Sequence, residues 1–154
     1  MPVFSNIVSC LNLSENPDDI VQYVNDIVKQ NEAKLILVHM EANTDSLLRR
    51  TSAGGMEPLV EESSRKNREA FKEYVTCHFD GEPVLVFTEG NADDELLNII
   101  DHYCADLVII GSLSTKGFFG RWLNKSAEKI IGKTRIPVMI IPNDLSLECT
   151  PDFS

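Results

Sequence analysis

The stretch "NADDELLNIIDHYCADLVIIG", Asn91–Gly111, contains two patterns that together decide the fold. Its first half places apolar residues three and four positions apart, after an asparagine cap and two aspartates that suit the positive end of a helix dipole. Its second half is an apolar run that stops at Gly111, which is typical of a strand covered on both faces. The stretch therefore predicts a helix that leads into a buried strand of a parallel sheet.

The same alternation of helix and strand extends to both sides of this stretch. Four further apolar runs have the length of strands, and three further segments have a helical period or helical charge pairs. A β-α-β order of this kind implies an open parallel sheet with right-handed crossovers, and ligands of such sheets bind beyond the carboxyl ends of the strands. The further strands are predicted at Phe4–Leu11, Lys34–Met40, Glu82–Gly90 and Ile136–Pro142, and the further helices at 17–31, Pro58–Thr76 and Asn124–Lys133.

The bulk composition is that of one globular domain with an acidic surface. The chain has 154 residues, of which 43% are hydrophobic and 25% are charged, and its net charge is −10. Negative charge repels nucleic acid and anionic membranes, so we expect neither as a partner. No segment has the length of a membrane helix and the N-terminus does not resemble a signal peptide, so a cytoplasmic location is predicted.

The four cysteines are scattered along the chain without the spacing of a metal site. No metal site is therefore predicted. Cys10 and Cys104 have apolar sequence neighbours, and we expect both to be small core residues.

Three segments give the chain a resemblance to the universal stress protein family. The most specific is "EGNADDELLNIIDHYCADLVIIGS", Glu89–Ser112, where the family commonly has a Gly, a small residue or Pro, a helix and "GADLIVMGS". "LNLS", Leu11–Ser14, is similar to the family's "VDGS", and "IPVMIIP", Ile136–Pro142, is similar to its "CPVLVV" strand. The resemblance ends at Pro142, and residues 143–154 are mostly polar and acidic, so we predict a domain over 1–142 and a flexible acidic tail over 143–154.

The resemblance implies both a sheet order and a ligand site. The implied fold is a three-layer α/β arrangement, adenine-nucleotide alpha-hydrolase-like (Rossmann-like), with an open parallel five-stranded sheet of strand order 3-2-1-4-5. Its crevice lies between strands one and four. Many members bind ATP through a Gly-x2-Gly-x9-Gly-(Ser/Thr) loop and an Asp at the end of strand one. The family also implies a homodimer formed through strand five.

The phosphate loop of this chain keeps only part of that motif. Gly111 is the first glycine, but Ser114 and Asn124 occupy the two later glycine positions. Lys125 replaces the final hydroxyl residue, and Asn12 replaces the aspartate of strand one. Because the motif glycines let the backbone approach phosphate and adopt positive φ, these replacements predict weak or no ATP binding, and no cofactor is expected.

The same loop retains groups that suit a phosphate, so a second interpretation stays open. Asparagine is among the residues that best tolerate positive φ, and Lys125 adds a cation. On this interpretation the chain is an ATP- or AMP-binding switch or a slow ATPase. The candidate nucleotide contacts are Asn12, Met40, Gly111, Ser114, Asn124, Lys125 and Ser126.

Strand five predicts a contact between two chains. At a sheet edge, "VMIIP" would leave backbone groups unpaired and apolar side chains exposed, which favours pairing with another strand. The alternative is that the C-terminal tail covers this edge within one chain. We predict a homodimer whose interface includes Val138, Met139, Ile140 and Ile141.

No pattern of catalytic residues stands out. No Ser or Cys is spaced to suggest a catalytic triad with His39, His78 or His102. The three histidines are therefore interpreted as structural or surface residues. No carboxylate pair is present, and "LNLSEN" after strand one lacks the glycine-rich fingerprint of a redox or flavin module. The sequence therefore predicts a non-enzymatic protein that acts in the stress response by binding, with a protein partner as one candidate.

Overall fold

Five strands form one parallel sheet in the part of the chain that the structure describes. A computed structural model gives residues 3–11, 18–41, 57–89, 92–111, 128–141 and 151–152. The strands are β1 (Asn6–Leu11), β2 (Lys34–Glu41), β3 (Val84–Glu89), β4 (Leu107–Gly111) and β5 (Val138–Ile141). Their order in the sheet is β3-β2-β1-β4-β5, which confirms the predicted order 3-2-1-4-5. The predicted tail over 143–154 lies outside the described residues except for Pro151 and Asp152, which are exposed.

The helices lie between the strands as the sequence pattern predicts. They are α1 (Asp18–Asn31), α2 (Glu57–His78) and α3 (Ala92–His102), and residues 128–133 are helical within the segment predicted over Asn124–Lys133. α2 is longer than predicted at both ends. Among the described residues, no helix combines the length and the apolar character needed to cross a membrane.

Alternating side chains of the sheet fill two separate cores. The α3-side core contains Val8, Val108 and Ile110 of the sheet together with Leu96 of α3 and Ile130. The α1/α2-side core contains the strand residues that alternate with these and therefore lie on the other face of the sheet. The four successive apolar residues of β4 contribute alternately to both cores, and this confirms a strand covered on both faces. The sheet and helix residues of the α1/α2-side core include Ile7, Leu11, Leu35, Leu37, Leu107, Ile109, Val21, Val24 and Phe71.

Within the described residues, the apolar faces that helical spacing predicts for α1 and α2 pack on the sheet, with Ala70 as an exception. Val21 and Val24 of α1 are buried, as are Phe71 and Val75 of α2. The helical spacing of α2 also predicts Ala70 on the apolar face, but Ala70 is exposed. Because Phe71 already fills the core at this turn, the neighbouring position faces solvent.

Cys10 is a core residue as predicted, whereas the same prediction for Cys104 is wrong. Cys104 is exposed and has a φ of 51°, in the turn that ends α3. There the N–H of Ala105 donates to the carbonyl of Ile100 and the N–H of Cys104 donates to that of Asp101, which is a Schellman cap. The left-handed residue of such a cap is usually glycine, so the sequence carries no signal that the chain leaves the helical path at Cys104.

Asp106 holds the amino ends of β1 and β4 together. Its carboxylate oxygens accept hydrogen bonds from the backbone N–H groups of Ser5 at 2.7 Å and Asn6 at 3.0 Å. Its own N–H donates to the carbonyl of Asn6 at 2.9 Å. These bonds link residues about 100 positions apart and place β1 beside β4, which creates the point where strand order reverses.

The hydroxyl of Ser9 gives the first testable prediction. Ser9 lies in the middle of β1, is fully buried, and its Oγ has no hydrogen-bond partner among the described residues. Because an unpaired buried hydroxyl costs about 1–3 kcal/mol, Ser9→Ala is expected to raise the free energy of unfolding by about 1 kcal/mol in urea denaturation. Ser5→Ala, at an exposed position, serves as the control and should change it by less than about 0.5 kcal/mol. A clear loss of stability in Ser9→Ala would show that the hydroxyl is paired.

Candidate functional site

The carboxyl ends of β1 and β4 lie side by side where the strand order reverses. The two strands pair in register, with Cys10 opposite Ile110. After β1 the chain continues to α1 on one face of the sheet, and after β4 it continues to residues 128–133 on the other face. Because the elements that follow β1 and β4 lie on opposite faces of the sheet, this topology predicts a crevice at this edge, which is the usual ligand position in open parallel sheets.

Two of the predicted nucleotide contacts are brought to this edge by the sheet. Gly111 is the last residue of β4 and pairs with Ile141 of β5. Met40 lies in β2, one residue beyond the pair formed by Leu11 and His39. Because β1 lies between β2 and β4, Met40 and Gly111 flank the end of β1. The remaining predicted contacts lie outside the described residues: Asn12, Ser114, Asn124, Lys125 and Ser126.

Acidic residues are concentrated at the same carboxyl edge. Glu41 and Glu89 end β2 and β3 and are paired in register. Residues 18–19 at the start of α1 and residues 93–94 in the first turn of α3 are aspartates. Helices of a parallel α/β sheet begin at the carboxyl edge of the strands, so these positions belong to the same edge as Glu41 and Glu89.

His39 belongs to a packed aromatic cluster between the sheet and α2. Its ring centroid lies 4.7 Å from that of Phe71 and 5.8 Å from that of Phe87. The cations of Arg68 and Lys72 lie 5.3 Å and 5.8 Å from the ring centroid of Phe87. These contacts support the interpretation of His39 as a structural residue. The two cations were not predicted, although their spacing of one helical turn was the available signal.

The other two histidines also make aromatic contacts. His78 stacks on Tyr74 with ring centroids 3.9 Å apart, and its Nδ1 lies 2.9 Å from the Tyr74 carbonyl oxygen. His102 lies edge-on to Tyr103 at 4.8 Å. In the described ranges, no group of three or more His, Cys, Asp or Glu residues is arranged to hold a metal ion.

β5 forms one edge of the sheet and exposes an apolar side chain on each face. Met139 and Ile140 are each 37% exposed, and Val138 is half-buried. By their register with β4, Met139 lies on the α1/α2 side and Ile140 lies on the α3 side. Ile141 was predicted as an interface residue, but it is 4% exposed and packs in the α1/α2-side core. Its side chain therefore packs within the fold, and the interface through Val138, Met139, Ile140 and Ile141 stays a prediction.

The fold resembles those of several solved proteins. A universal stress protein in complex with cAMP aligns with a TM-score of 0.57 and 16% identity, over 92% of this chain and 98% of that one. A protein of the universal stress protein family from Burkholderia pseudomallei aligns with a TM-score of 0.58 and 19% identity, over 90% of this chain and 96% of that one. The universal stress protein UspA from Lactobacillus plantarum aligns with a TM-score of 0.61 and 11% identity, over 89% of this chain and 97% of that one. These neighbours share the adenine-nucleotide alpha-hydrolase-like arrangement that the sheet order indicates.

The sequence itself also matches a known family. No curated protein matches the chain. The sequence model of the universal stress protein family, however, matches residues 4–142, which include all five strands. The chain therefore belongs to the universal stress protein family.

Proposed function

We propose that the chain is a cytoplasmic protein of the stress response that acts by binding rather than by catalysis, as a homodimer with a crevice of weak or no affinity for ATP. The observation that carries this proposal is the altered phosphate loop. The crevice at β1 and β4 keeps Gly111, but Ser114, Asn124 and Lys125 replace the other motif residues. A loop without those glycines brings its backbone less closely to a triphosphate.

The charge of the crevice edge supports weak nucleotide binding. Glu41 and Glu89 end adjacent strands at this edge, and aspartates occupy the first turns of α1 and α3. Like charges repel the phosphates of a nucleotide, and aspartates in the first turn of a helix compete with an anion for its positive end. Lys125 is the cation in the loop that would oppose this repulsion.

The edge strand β5 supports the proposed dimer. A strand at a sheet edge presents unpaired backbone N–H and carbonyl groups, and here it also exposes Met139 and Ile140. A second copy related by a twofold axis would pair with β5 and cover both side chains at once. In such an interface the backbone supplies the pairing and the two apolar side chains supply buried area.

A nucleotide-dependent switch or slow ATPase is the second candidate. It is favoured by the similar universal stress protein that was solved in complex with cAMP. On this alternative, Lys125 and Ser126 would contact the phosphates, and a divalent cation carried by the nucleotide would offset the acidic edge. The two candidates differ in the affinity of the unmodified chain for Mg-ATP.

A thermal-shift titration with Mg-ATP separates these candidates. If the dissociation constant is 1 mM or weaker, about 1 mM ATP stabilises the folded chain by no more than about 0.4 kcal/mol, a shift of about 1–2 °C. We expect this small shift, and no nucleotide retained in native mass spectrometry of the purified protein. A shift that corresponds to about 2.7 kcal/mol would require binding about 100-fold tighter and would favour the switch.

The matched control restores the motif in the same chain. The triple variant Ser114→Gly, Asn124→Gly, Lys125→Ser recovers the glycines and the final hydroxyl. We expect its melting temperature to rise more on addition of Mg-ATP than that of the unmodified chain. Equal responses of the two proteins would mean that the replaced loop residues do not limit nucleotide affinity, which would contradict the proposal. AMP and cAMP are titrated in parallel because they lack the triphosphate.

A further inference from the structure

A cleft lies at the amino edge of the sheet, opposite the edge where the nucleotide contacts are predicted. It has a volume of about 510 Å³ and lies between the C-terminal part of α3 and the chain that enters β5. Leu97, Ile100 and Ile136 give it an apolar lining, and Asp101 contributes one carboxylate. Because Ala105 and Ile136 precede β4 and β5, the cleft is separated from the carboxyl edge by the length of these strands. Its volume lies within the range of about 300–1,000 Å³ that small-molecule sites occupy.

Two cations line this cleft next to the apolar surface. Lys133 and Arg135 outnumber the single carboxylate, and neither forms a salt bridge with a residue in the described ranges. Thr134, between them, is anchored, because its N–H donates to the Ile130 carbonyl at 2.7 Å and its hydroxyl accepts the N–H of Ile136 at 3.3 Å. The backbone that carries both cations is therefore held in place. In a chain of net charge −10, the side chains of Lys133 and Arg135 make the rim of the cleft locally positive.

We propose that this cleft binds a small organic anion, with its apolar part against Leu97, Ile100 and Ile136 and its carboxylate between Lys133 and Arg135. Arginine suits a carboxylate because its planar guanidinium forms two parallel hydrogen bonds, and lysine adds a second positive charge. The apolar lining favours an aromatic or branched aliphatic body over a fully polar metabolite such as phosphate. The proposal does not depend on the crevice and stands whether or not the chain binds a nucleotide.

Cys104 makes the cleft accessible to a chemical test. This exposed thiol belongs to the lining of the cleft. A dithiobis-nitrobenzoate probe has an aromatic ring and a carboxylate on each half, which is the chemistry that the cleft should bind. The thiolate of Cys104 attacks one sulfur of the probe, forms a mixed disulfide and releases the other half as a coloured thiolate. Uncharged dithiodipyridine reacts by the same exchange and measures the intrinsic reactivity of the thiol.

The other cysteines can be removed from the measurement. Cys10 is buried, and burial raises the pKa of its thiol to about 12, so it does not react near neutral pH. The variant Cys77→Ser, Cys149→Ser leaves Cys104 as the reacting thiol. The variant Cys104→Ser, Cys149→Ser leaves Cys77, an exposed thiol on α2, as the internal reference.

The test compares both probes before and after the cations are removed. In the Cys104 background at low salt, Lys133→Gln with Arg135→Gln is expected to slow the nitrobenzoate probe by about tenfold. The same change should alter the dithiodipyridine rate by less than about twofold, because that probe has no charge to attract. Unreactive nitrobenzoate at millimolar concentration should protect Cys104 from the charged probe, and the Cys77 rates should stay constant.

Two control variants decide whether the effect belongs to the cleft. Lys133→Arg with Arg135→Lys keeps both charges and should keep most of the nitrobenzoate rate. Arg65→Gln with Lys66→Gln removes two cations from α2 and should leave the Cys104 rate unchanged. The proposal is overturned if Arg65→Gln with Lys66→Gln slows the reaction of Cys104 with the nitrobenzoate probe equally. The effect would then come from the overall charge of the chain rather than from the cleft. It is also overturned if both probes slow together or if nitrobenzoate gives no protection.

Discussion

Phe71→Ala is expected to lower the free energy of unfolding by about 3–5 kcal/mol, which is the usual cost of truncating a buried phenylalanine. Phe71 has no exposed surface and lies in the α1/α2-side core. Its ring contacts His39 at 4.7 Å and Phe87 at 5.7 Å, so the truncation removes two ring contacts as well as buried area. A natural domain has only about 5–15 kcal/mol of stability, so this single change should remove a large part of it.

Urea denaturation measures this loss, and two variants serve as its controls. Ala70→Ser changes the adjacent exposed residue of α2 and should cost less than about 0.7 kcal/mol, the range of helix propensity. Phe71→Leu retains much of the apolar volume and should fall between Phe71→Ala and the unmodified chain. A loss of less than about 1 kcal/mol for Phe71→Ala would show that α2 does not pack on β2 and β3 through this residue.

The fold was predictable because its decisive signals are local and periodic. The apolar run of β4 and the amphipathic spacing of α1 and α3 specify element types, and their alternation specifies a parallel sheet. The order of the strands came from the family resemblance, and the structure supplies one physical reason for it. Asp106 bonds to the backbone of Ser5 and Asn6, a contact between distant parts of the chain that no local pattern predicts.

The candidate sites were less predictable because they depend on geometry that the sequence does not encode locally. Cys104 adopts a left-handed conformation where glycine would have been the signal, so its exposure was missed. The cleft beside it exists only because pairing of β4 with β5 brings residues 133–136 against the end of α3. Ile141 was grouped with its exposed neighbours because alternation along a short edge strand does not reveal which face the core covers.

Ile140→Glu is expected to convert the proposed homodimer into a monomer, measured by light scattering across a range of protein concentrations. Ile140 is 37% exposed at the β5 edge, so the isolated chain can tolerate a carboxylate there. A twofold interface would bury this carboxylate twice without a partner. At about 2 kcal/mol for each copy, the dissociation constant should rise by about 10³-fold.

The matched control for Ile140→Glu is Tyr23→Glu, which adds the same charge at another exposed apolar residue. Tyr23 is 47% exposed and belongs to α1 rather than to β5, so its replacement should leave a dimer formed by pairing of two β5 strands unchanged. If Ile140→Glu stays dimeric, the interface lies elsewhere on the surface. If the unmodified chain is itself a monomer, the exposed edge of β5 must be protected without pairing. A monomer would contradict the proposed dimer, because that proposal rests on two exposed apolar side chains, Met139 and Ile140, beside unpaired backbone groups that favour association.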